Sequence, residues 1–138
     1  MSYGLRALLA CGEVEKVVVT VRADVLEEAK GWVEKECGSE GARVEVIVGG
    51  VERQDSVGEG LKALGAGVEW VVVHDAARVL LTRRLTERVL EEARKSGAAA
   101  AELGGVKGVL VEAEEPNLKI TVPSDWVLAE AWLKARGK

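Results

Sequence analysis

Two short polar stretches contain the residues whose types and spacing are best suited to chemistry. In the first, Gly49 and Gly50 are followed by Ser56, and in the second His74 opens a run that ends at Arg78. Paired glycines let a backbone approach a ligand closely, and we predict that Ser56 opens a helix whose N–H groups can hold an anion. The alternative is a structural glycine turn followed by a serine N-cap. The spacing alone leaves both interpretations open.

The second stretch places a carboxylate and a guanidinium directly after an apolar run. Asp75 can hold Mg²⁺ and Arg78 can bind phosphate, because carboxylate oxygens suit Mg²⁺ and the guanidinium fork matches phosphate oxygens. A local ion pair between the two side chains is the alternative. His74 is the only histidine in the chain, and we interpret it as a packed strand-end residue in preference to a catalytic base.

The elements that must position these stretches alternate between short apolar runs and longer segments with helical periodicity. Predicted strands cover 17–21, 44–48, 70–74, 98–103 and 109–111. The two polar stretches therefore follow the second and third strands, and in open parallel sheets ligands gather beyond the carboxyl ends of strands. The alternation predicts a single α/β domain over residues 1–138. We expect a three-layer, Rossmann-like or flavodoxin-like architecture, with a mostly parallel sheet of about five strands and helices on both faces.

The helical segments carry start and stop signals. Predicted helices cover 3–11, 24–38, 82–96 and 123–135, besides the one that Ser56 opens. Asp24 and Glu27 form a capping-box pattern, and Gly97 closes the helix over 82–96. In the last helix the predicted apolar face comprises Leu128, Ala131, Trp132 and Ala135. Three tryptophans are interpreted as core residues in preference to an exposed assembly surface, namely Trp32, Trp126 and Trp132.

Composition excludes several classes of protein. Of the 138 residues, 48% are hydrophobic and 30% are charged, a balance that excludes a disordered chain, and no apolar run is long enough to span a bilayer. The formal net charge of −4 disfavours binding to DNA or RNA through bulk electrostatics. Cys11 and Cys37 lack the spacing of metal ligands and are expected to be reduced packing residues. No secretory signal is visible, so a cytoplasmic location is expected.

Three stretches, taken in order along the chain, resemble the methylerythritol phosphate cytidylyltransferases of isoprenoid precursor biosynthesis. They read GGVERQDSV at 49–57, VHDAAR at 73–78 and NLKITVPSD at 117–125. The resemblance implies that the nucleotide-binding residues are Gly49, Gly50, Ser56, Asp75 and Ala76. It further implies that Asp75 holds the Mg²⁺ that bridges the phosphates of CTP, and that Arg78 and Lys119 face the phosphate groups as catalytic cations. Such cations suit in-line attack of one phosphate on another, which needs charge neutralisation and alignment.

The sequence departs from this family in three places. It begins after the family's glycine-rich basic loop, and only residues 104–108 stand where the family has a long segment that binds substrate and forms the dimer arm. Val79 replaces the proline that usually follows the family's arginine. We therefore expect a truncated or engineered cytidylyltransferase-like domain. It would keep a rim that binds CTP or another phosphate ligand and would have little or no catalytic activity.

The missing first strand has consequences for the predicted sheet. In the family that strand lies between strands 17–21 and 71–73, so we predict that these two pair directly, which gives the flavodoxin-like order. Pairing of the open strand edges between two chains, which would make a homo-oligomer, is the alternative. A non-catalytic scaffold or assembly module is a second functional hypothesis. A receiver-like binding module is a third, and the absence of an acidic cluster after the first strand speaks against it.

Overall fold

A computed structural model describes residues 2–97, 99–100, 109–113 and 116–137. The chain divides into two compact units, of which one comprises Val14–Val73 and the other comprises Met1–Glu13 together with His74–Lys138. We refer to them as the central unit and the terminal unit. Both contain helices and short parallel strands, which confirms the predicted α/β class.

The central unit is built around a pair of valine-rich strands. β1 (Val17–Val21) and β2 (Val44–Val48) run parallel, with Val17 opposite Val44 and Val21 opposite Val48. The Gly49 N–H donates to the Val21 carbonyl at 2.8 Å and so extends the ladder beyond the strands. Because the two strands end level with each other, the residues that follow them emerge at the same edge of the pair, as predicted.

Helices connect and cover these strands. The central unit contains a 3₁₀ turn over Ala23–Val25, α2 (Leu26–Cys37), a second 3₁₀ segment over Gly38–Arg43, and α3 (Arg53–Leu64). Ala29 and Val33, one turn apart on α2, are buried. The predicted capping box at the start of this helix is wrong, because the Asp24 carboxylate accepts a hydrogen bond from Arg22 Nε at 2.9 Å and leaves α2 without a side-chain cap.

The predicted strand over 70–74 is not a strand in the structure. Among the described residues, β1 forms strand hydrogen bonds with β2 alone, so the predicted direct pairing of 17–21 with 71–73 is also wrong. Val71 and Val73 are 42% and 55% exposed. An apolar run becomes a strand only when a neighbouring backbone supplies its hydrogen bonds. The predicted sheet of about five strands is thus represented, in the part of the chain that the structure describes, by two parallel pairs.

The second parallel pair lies in the terminal unit. This unit contains α1 (Ser2–Leu9), α4 (Arg83–Ser96), β3 (Ala99–Ala100), β4 (Val109–Leu110) and α5 (Pro123–Ala135). Ala99 lies opposite Val109 in a parallel register. The rest of the predicted strand over 98–103 lies outside the described residues.

Helix α4 shows the predicted boundaries in full. Thr82 Oγ1 accepts a hydrogen bond from the Leu85 N–H at 3.1 Å, which caps the start of the helix. At the other end Gly97 adopts a left-handed conformation with φ of 84°, and its N–H donates to the Ala93 carbonyl at 2.7 Å. Leu85 and Ala93 are buried together with Leu90. The predicted range of 82–96 and the closing glycine are confirmed, whereas the capping role of Thr82 was not predicted.

Helix α5 buries a different face from the predicted one. Its buried residues are Ala129 and Leu133, which pack with Val79 and Leu80 in the core of the terminal unit. Trp126 and Trp132 are 58% and 43% exposed, so their assignment to the core is wrong. Apolar side chains occur on almost every side of this helix, and hence periodicity could not identify the buried side.

Two further expectations concern cysteines and membranes. The two cysteines are not joined by a disulfide, and Cys11 is buried while Cys37 is half-buried, which agrees with a packing role. No helix within the described ranges combines the length and hydropathy that crossing a bilayer requires.

Candidate functional site

The Asp75–Arg78 stretch forms a tight turn in the terminal unit. The Arg78 N–H donates to the Asp75 carbonyl at 2.9 Å, and the Ala77 N–H lies 3.5 Å from Asp75 Oδ1. The Ala77 carbonyl accepts a hydrogen bond from the Ile120 N–H at 2.9 Å. This last bond aligns segment 117–121, which contains the third motif, beside the turn.

Opposite charges meet where the turn and this segment run side by side. Lys119 Nζ lies 2.8 Å from Asp75 Oδ2, and the two side chains are 44% and 24% exposed. Arg78 Nη1 donates to the Asn117 carbonyl at 2.7 Å. We call Asp75, Arg78, Asn117 and Lys119 the Asp75 cluster. A partly exposed ion pair contributes only about 0–1 kcal/mol to stability, so exchanging one partner for a ligand phosphate costs little.

His74, next to this cluster, packs against backbone. Its Nε2 atom is buried and has no hydrogen-bond partner among the described residues. A Cβ atom added to Gly4 would lie 2.9 Å from that nitrogen, so α1 passes close to the imidazole at Gly4. Burial lowers the pKa of His74, while the negative charge of Asp75 and a hydrogen bond with the Arg78 backbone oppose this shift. The geometry agrees with a packed residue.

The end of the third motif begins helix α5. Asp125 Oδ2 accepts hydrogen bonds from the Thr121 N–H at 2.8 Å, from Thr121 Oγ1 at 3.0 Å and from the Val122 N–H at 3.0 Å. These bonds lower the pKa of Asp125. Asp125 lies within the third motif, but the resemblance alone did not indicate a role for it. The signal was present, since a threonine, a proline at the first helical position and an acid two residues later form a helix start.

The Gly49–Ser56 loop, in the central unit, uses its polar groups internally. Helix α3 begins at Arg53, and the Ser56 N–H already donates to the Glu52 carbonyl at 3.0 Å. The prediction that Ser56 opens this helix is therefore wrong. Asp55 Oδ2 accepts the Glu52 N–H at 3.1 Å, so a carboxylate occupies the helix start that an anion would use.

The glycines of this loop are required by the packing of α3. A Cβ atom on Gly50 would lie 2.2 Å from Asp55 Cβ, and one on Gly49 would lie 2.6 Å from Ser56 Oγ. Such distances are far below van der Waals contact. Ser56 Oγ itself lies 3.4 Å from the Gly50 carbonyl oxygen. The glycine turn of the structural alternative accounts for these contacts, but its serine N-cap is wrong, because Glu52 occupies the N-cap position of α3.

The sequence-predicted site residues thus occupy both units. The terminal unit brings together Asp75, Ala76, Arg78 and Lys119, and the central unit holds Gly49, Gly50 and Ser56. No group of three or more metal-binding side chains occurs within the described ranges. A single carboxylate such as that of Asp75 fits Mg²⁺ that arrives with nucleotide, because Mg²⁺ binds through one or two carboxylates together with substrate phosphates and water.

Comparison with known proteins identifies similar sequences. Residues 1–104 match the family model for 2-C-methyl-D-erythritol 4-phosphate cytidylyltransferase. A bifunctional enzyme IspD/IspF from Anaeromyxobacter sp. (strain Fw109-5) is 46% identical over 99 residues, which cover 71% of this chain and 24% of that protein. The bifunctional enzyme IspD/IspF from Anaeromyxobacter dehalogenans (strain 2CP-C) is 40% identical over 120 residues, or 85% of this chain and 30% of that protein.

A third relative carries the single activity in its name. The 2-C-methyl-D-erythritol 4-phosphate cytidylyltransferase of Solibacter usitatus (strain Ellin6076) is 36% identical over 101 residues, which cover 72% of this chain and 40% of that protein. The chain therefore spans between 24% and 40% of the length of these three relatives. The third motif, at 117–125, lies beyond the family-model match.

Proposed function

Because the chain belongs to the 2-C-methyl-D-erythritol 4-phosphate cytidylyltransferase family, we propose that it is a cytidylyltransferase-like domain of isoprenoid precursor biosynthesis. In this proposal it binds the phosphate groups of CTP, together with Mg²⁺, at the Asp75 cluster. The observation that carries the proposal is the 2.8 Å contact between Asp75 Oδ2 and Lys119 Nζ. It joins the second and third motifs of the resemblance in one place.

The cluster supplies both kinds of charge that a magnesium–nucleotide complex needs. Asp75 would hold Mg²⁺, which supplies neutralisation of phosphate charge when bound. Arg78 and Lys119 would donate to phosphate oxygens, and charge-assisted bonds of this kind are about twice as strong as neutral ones. Ala76 in the same turn, and Gly49, Gly50 and Ser56 in the central unit, are proposed nucleotide contacts on the resemblance alone.

The chemistry proposed for these residues is transfer of a cytidylyl group. A phosphate oxygen of methylerythritol phosphate would attack the α-phosphorus of CTP, a new P–O bond would form, and pyrophosphate would leave. Lys119 and Arg78 would stabilise the negative charge that develops on the oxygens of that phosphorus. Each preorganised donor of this kind is worth about 3–4 kcal/mol of activation free energy.

We propose slow turnover for the 138-residue chain assayed by itself. Arg78 and Lys119 supply two positive charges at the Asp75 turn. Only residues 104–108 stand where the resemblance implies a long substrate-binding segment, so we expect the second substrate to be held poorly. Pyrophosphate release from CTP in the presence of methylerythritol phosphate and Mg²⁺ measures this. Rapid, magnesium-dependent release by the unaided chain would contradict the proposal of slow turnover.

Calorimetric titration with CTP and Mg²⁺ tests the binding site. We expect Lys119→Met and Asp75→Asn to weaken binding by about tenfold or more, because each loses a charged partner for the ligand. Lys134→Met is the matched control, since Lys134 is also an exposed lysine in the terminal unit, 3.5 Å from Glu130, and should bind like the wild type. Absence of heat from the wild type at millimolar nucleotide would refute the proposed site.

A non-catalytic assembly module is the second candidate, and exposed side chains favour it. Helix α5 leaves Trp126, Val127, Leu128 and Trp132 exposed, and large apolar patches often mark protein contacts. The edge of β1 that pairs with no strand among the described residues would offer homo-oligomeric pairing as well. Sedimentation velocity over a range of concentrations distinguishes the candidates, because a module of this kind would form a defined oligomer.

A cytoplasmic location stays a prediction.

A further inference from the structure

We infer that Asp125 is a positioning residue that holds Lys119 beside Asp75. The inference rests on the proposed phosphate site and adds to it a residue that touches neither ligand nor metal. Three links along the chain carry it. These are the attachment of α5 to the core, the attachment of Thr121 to α5, and the register of segment 117–121 against the Asp75 turn.

The first link fixes the helix that carries Asp125. Ala129 and Leu133 of α5 are buried in the core cluster with Val79 and Leu80. Asp125 lies one helical turn before Ala129. Its main chain is therefore anchored through packed apolar side chains, which move little in a close-packed interior.

The second link joins the helix to the segment that contains Lys119. One carboxylate oxygen, Asp125 Oδ2, accepts all three bonds, two from Thr121 and one from the Val122 N–H, at 2.8–3.0 Å. Thr121 follows Lys119 by two residues. Bonds to a charged acceptor are stronger than neutral ones, so this carboxylate fixes where the segment ends.

The third link is the alternation of side chains along the segment. Leu118 and Ile120 pack against the core cluster, whereas Lys119 between them meets Asp75. The bond from the Ile120 N–H to the Ala77 carbonyl sets the same register. A slip of one residue would turn Lys119 toward the apolar core and an apolar residue toward Asp75. Release of Thr121 from Asp125 removes one end of this register.

A purely structural role for Asp125, as a cap for α5, is the competing explanation. Thr82 provides the matched control because it caps α4 in the same unit through one bond to the Leu85 N–H, at 3.1 Å. Thr82→Ala loses a helix cap without touching segment 117–121. If capping were the whole role of Asp125, both substitutions would lower stability and neither would affect the site.

The experiment combines nucleotide affinity with amide exchange in the ligand-free chain. We expect Asp125→Ala to weaken the binding of CTP with Mg²⁺ by about five- to tenfold, since Lys119 stays in the chain but loses its alignment. Exchange of the Ile120 amide, which bonds to Ala77, should become faster. Asp125→Asn should restore part of both properties, because its amide oxygen still accepts hydrogen bonds. Thr82→Ala should match the wild type in both.

Each outcome decides the inference. Wild-type affinity and wild-type Ile120 exchange in Asp125→Ala would overturn it, even if α5 amides exchange faster. If the wild type binds no nucleotide, the proposed function fails, and faster Ile120 exchange in Asp125→Ala alone then supports the positioning role.

Should Asp125→Ala fail to fold, Thr121→Val removes a single bond, the one from Thr121 Oγ1. Thr121→Ser keeps that bond. A difference between these two variants supports the inference, and identical behaviour overturns it.

Discussion

The Gly49–Ser56 loop and the Asp75 cluster both carry family motifs, but they use their polar groups in opposite ways. In the loop, Asp55 caps α3 and the Ser56 N–H is already paired within the helix. In the cluster, Lys119 and Asp75 meet at 2.8 Å and remain partly exposed. In the loop, the polar groups form hydrogen bonds with one another at the start of α3. The cluster leaves charge where a ligand can reach it.

The comparison shows that motif residues can be paired within the fold in one place and left partly exposed in another. In the sequence, the glycine pair indicates a loop that binds phosphate. In the structure, both glycines are explained by packing, because a Cβ atom at either position would collide with α3. At the Asp75 turn, a lysine and an aspartate of opposite charge face each other with both side chains partly exposed. Partly exposed ion pairs add little to stability, so the pair is compatible with the phosphate-binding role proposed for it.

The largest effect on stability should come from filling the space beside Gly50. Gly50→Ala would place its Cβ 2.2 Å from Asp55 Cβ and 3.0 Å from the Asp55 backbone carbon, so the first turn of α3 must move. We expect a loss of about 1–3 kcal/mol in the free energy of unfolding, measured by urea denaturation. Gly58→Ala in the same helix meets nothing within 4 Å and should gain about 0.5–1 kcal/mol. Equal stability of the two variants would contradict the packing explanation for the loop.

A smaller, pH-dependent effect should belong to the Asp75 region. Burial lowers the pKa of His74, so the unfolded chain takes up the proton more readily than the folded chain. The stabilisation is therefore complete above the ordinary histidine pKa of about 6.5 and is lost as the pH falls from there through the folded pKa. We expect unfolding midpoints, measured without nucleotide or Mg²⁺, to decrease over this range in the wild type.

The control for this pH dependence is His74→Gln, which cannot titrate. Since the chain has a single histidine, this variant should lose the decrease just below pH 6.5 while it keeps the carboxylate titrations at lower pH. A wild-type profile that is flat between pH 7 and 5 would show that the imidazole is not buried as the structure has it.

The smallest effect on stability is expected at Ser56. Its hydroxyl lies 3.4 Å from the Gly50 carbonyl oxygen, which is long for a hydrogen bond, so Ser56→Ala should change the free energy of unfolding by less than about 0.5 kcal/mol. If Ser56 contacts nucleotide, as the resemblance implies, the same variant should bind CTP with Mg²⁺ about fivefold more weakly, the worth of one neutral hydrogen bond. Unchanged affinity would restrict the role of this serine to the packing of α3.

Several elements were predictable because their signals are local. Thr82 and Gly97 bound α4 as predicted, and the valine-rich runs at 17–21 and 44–48 form the parallel pair. Each cap involves residues three or four positions apart, so the sequence contains both partners. Local signals also compete with one another, and Asp24 illustrates this, since its carboxylate pairs with Arg22 instead of capping α2.

The residues of the candidate site could be selected from the sequence, but the contacts among them could not be predicted. The motifs identified Asp75, Arg78 and Lys119, but the bonds that position Lys119 pass through the Asp125 carboxylate and the Ala77 carbonyl. Residues 77 and 120 are separated by more than forty positions. Only the folded chain reveals which backbone groups meet across such a separation.

The sequence by itself determined the α/β class, the family and the boundaries of α4, because these depend on residue types and on spacings within one or two helical turns. The tertiary structure decided that 70–74 forms no strand, that α5 buries Ala129 and Leu133, and that Lys119 meets Asp75. Strand formation and burial depend on what lies alongside a segment. Neighbours of that kind are brought together by folding, whatever their distance along the chain.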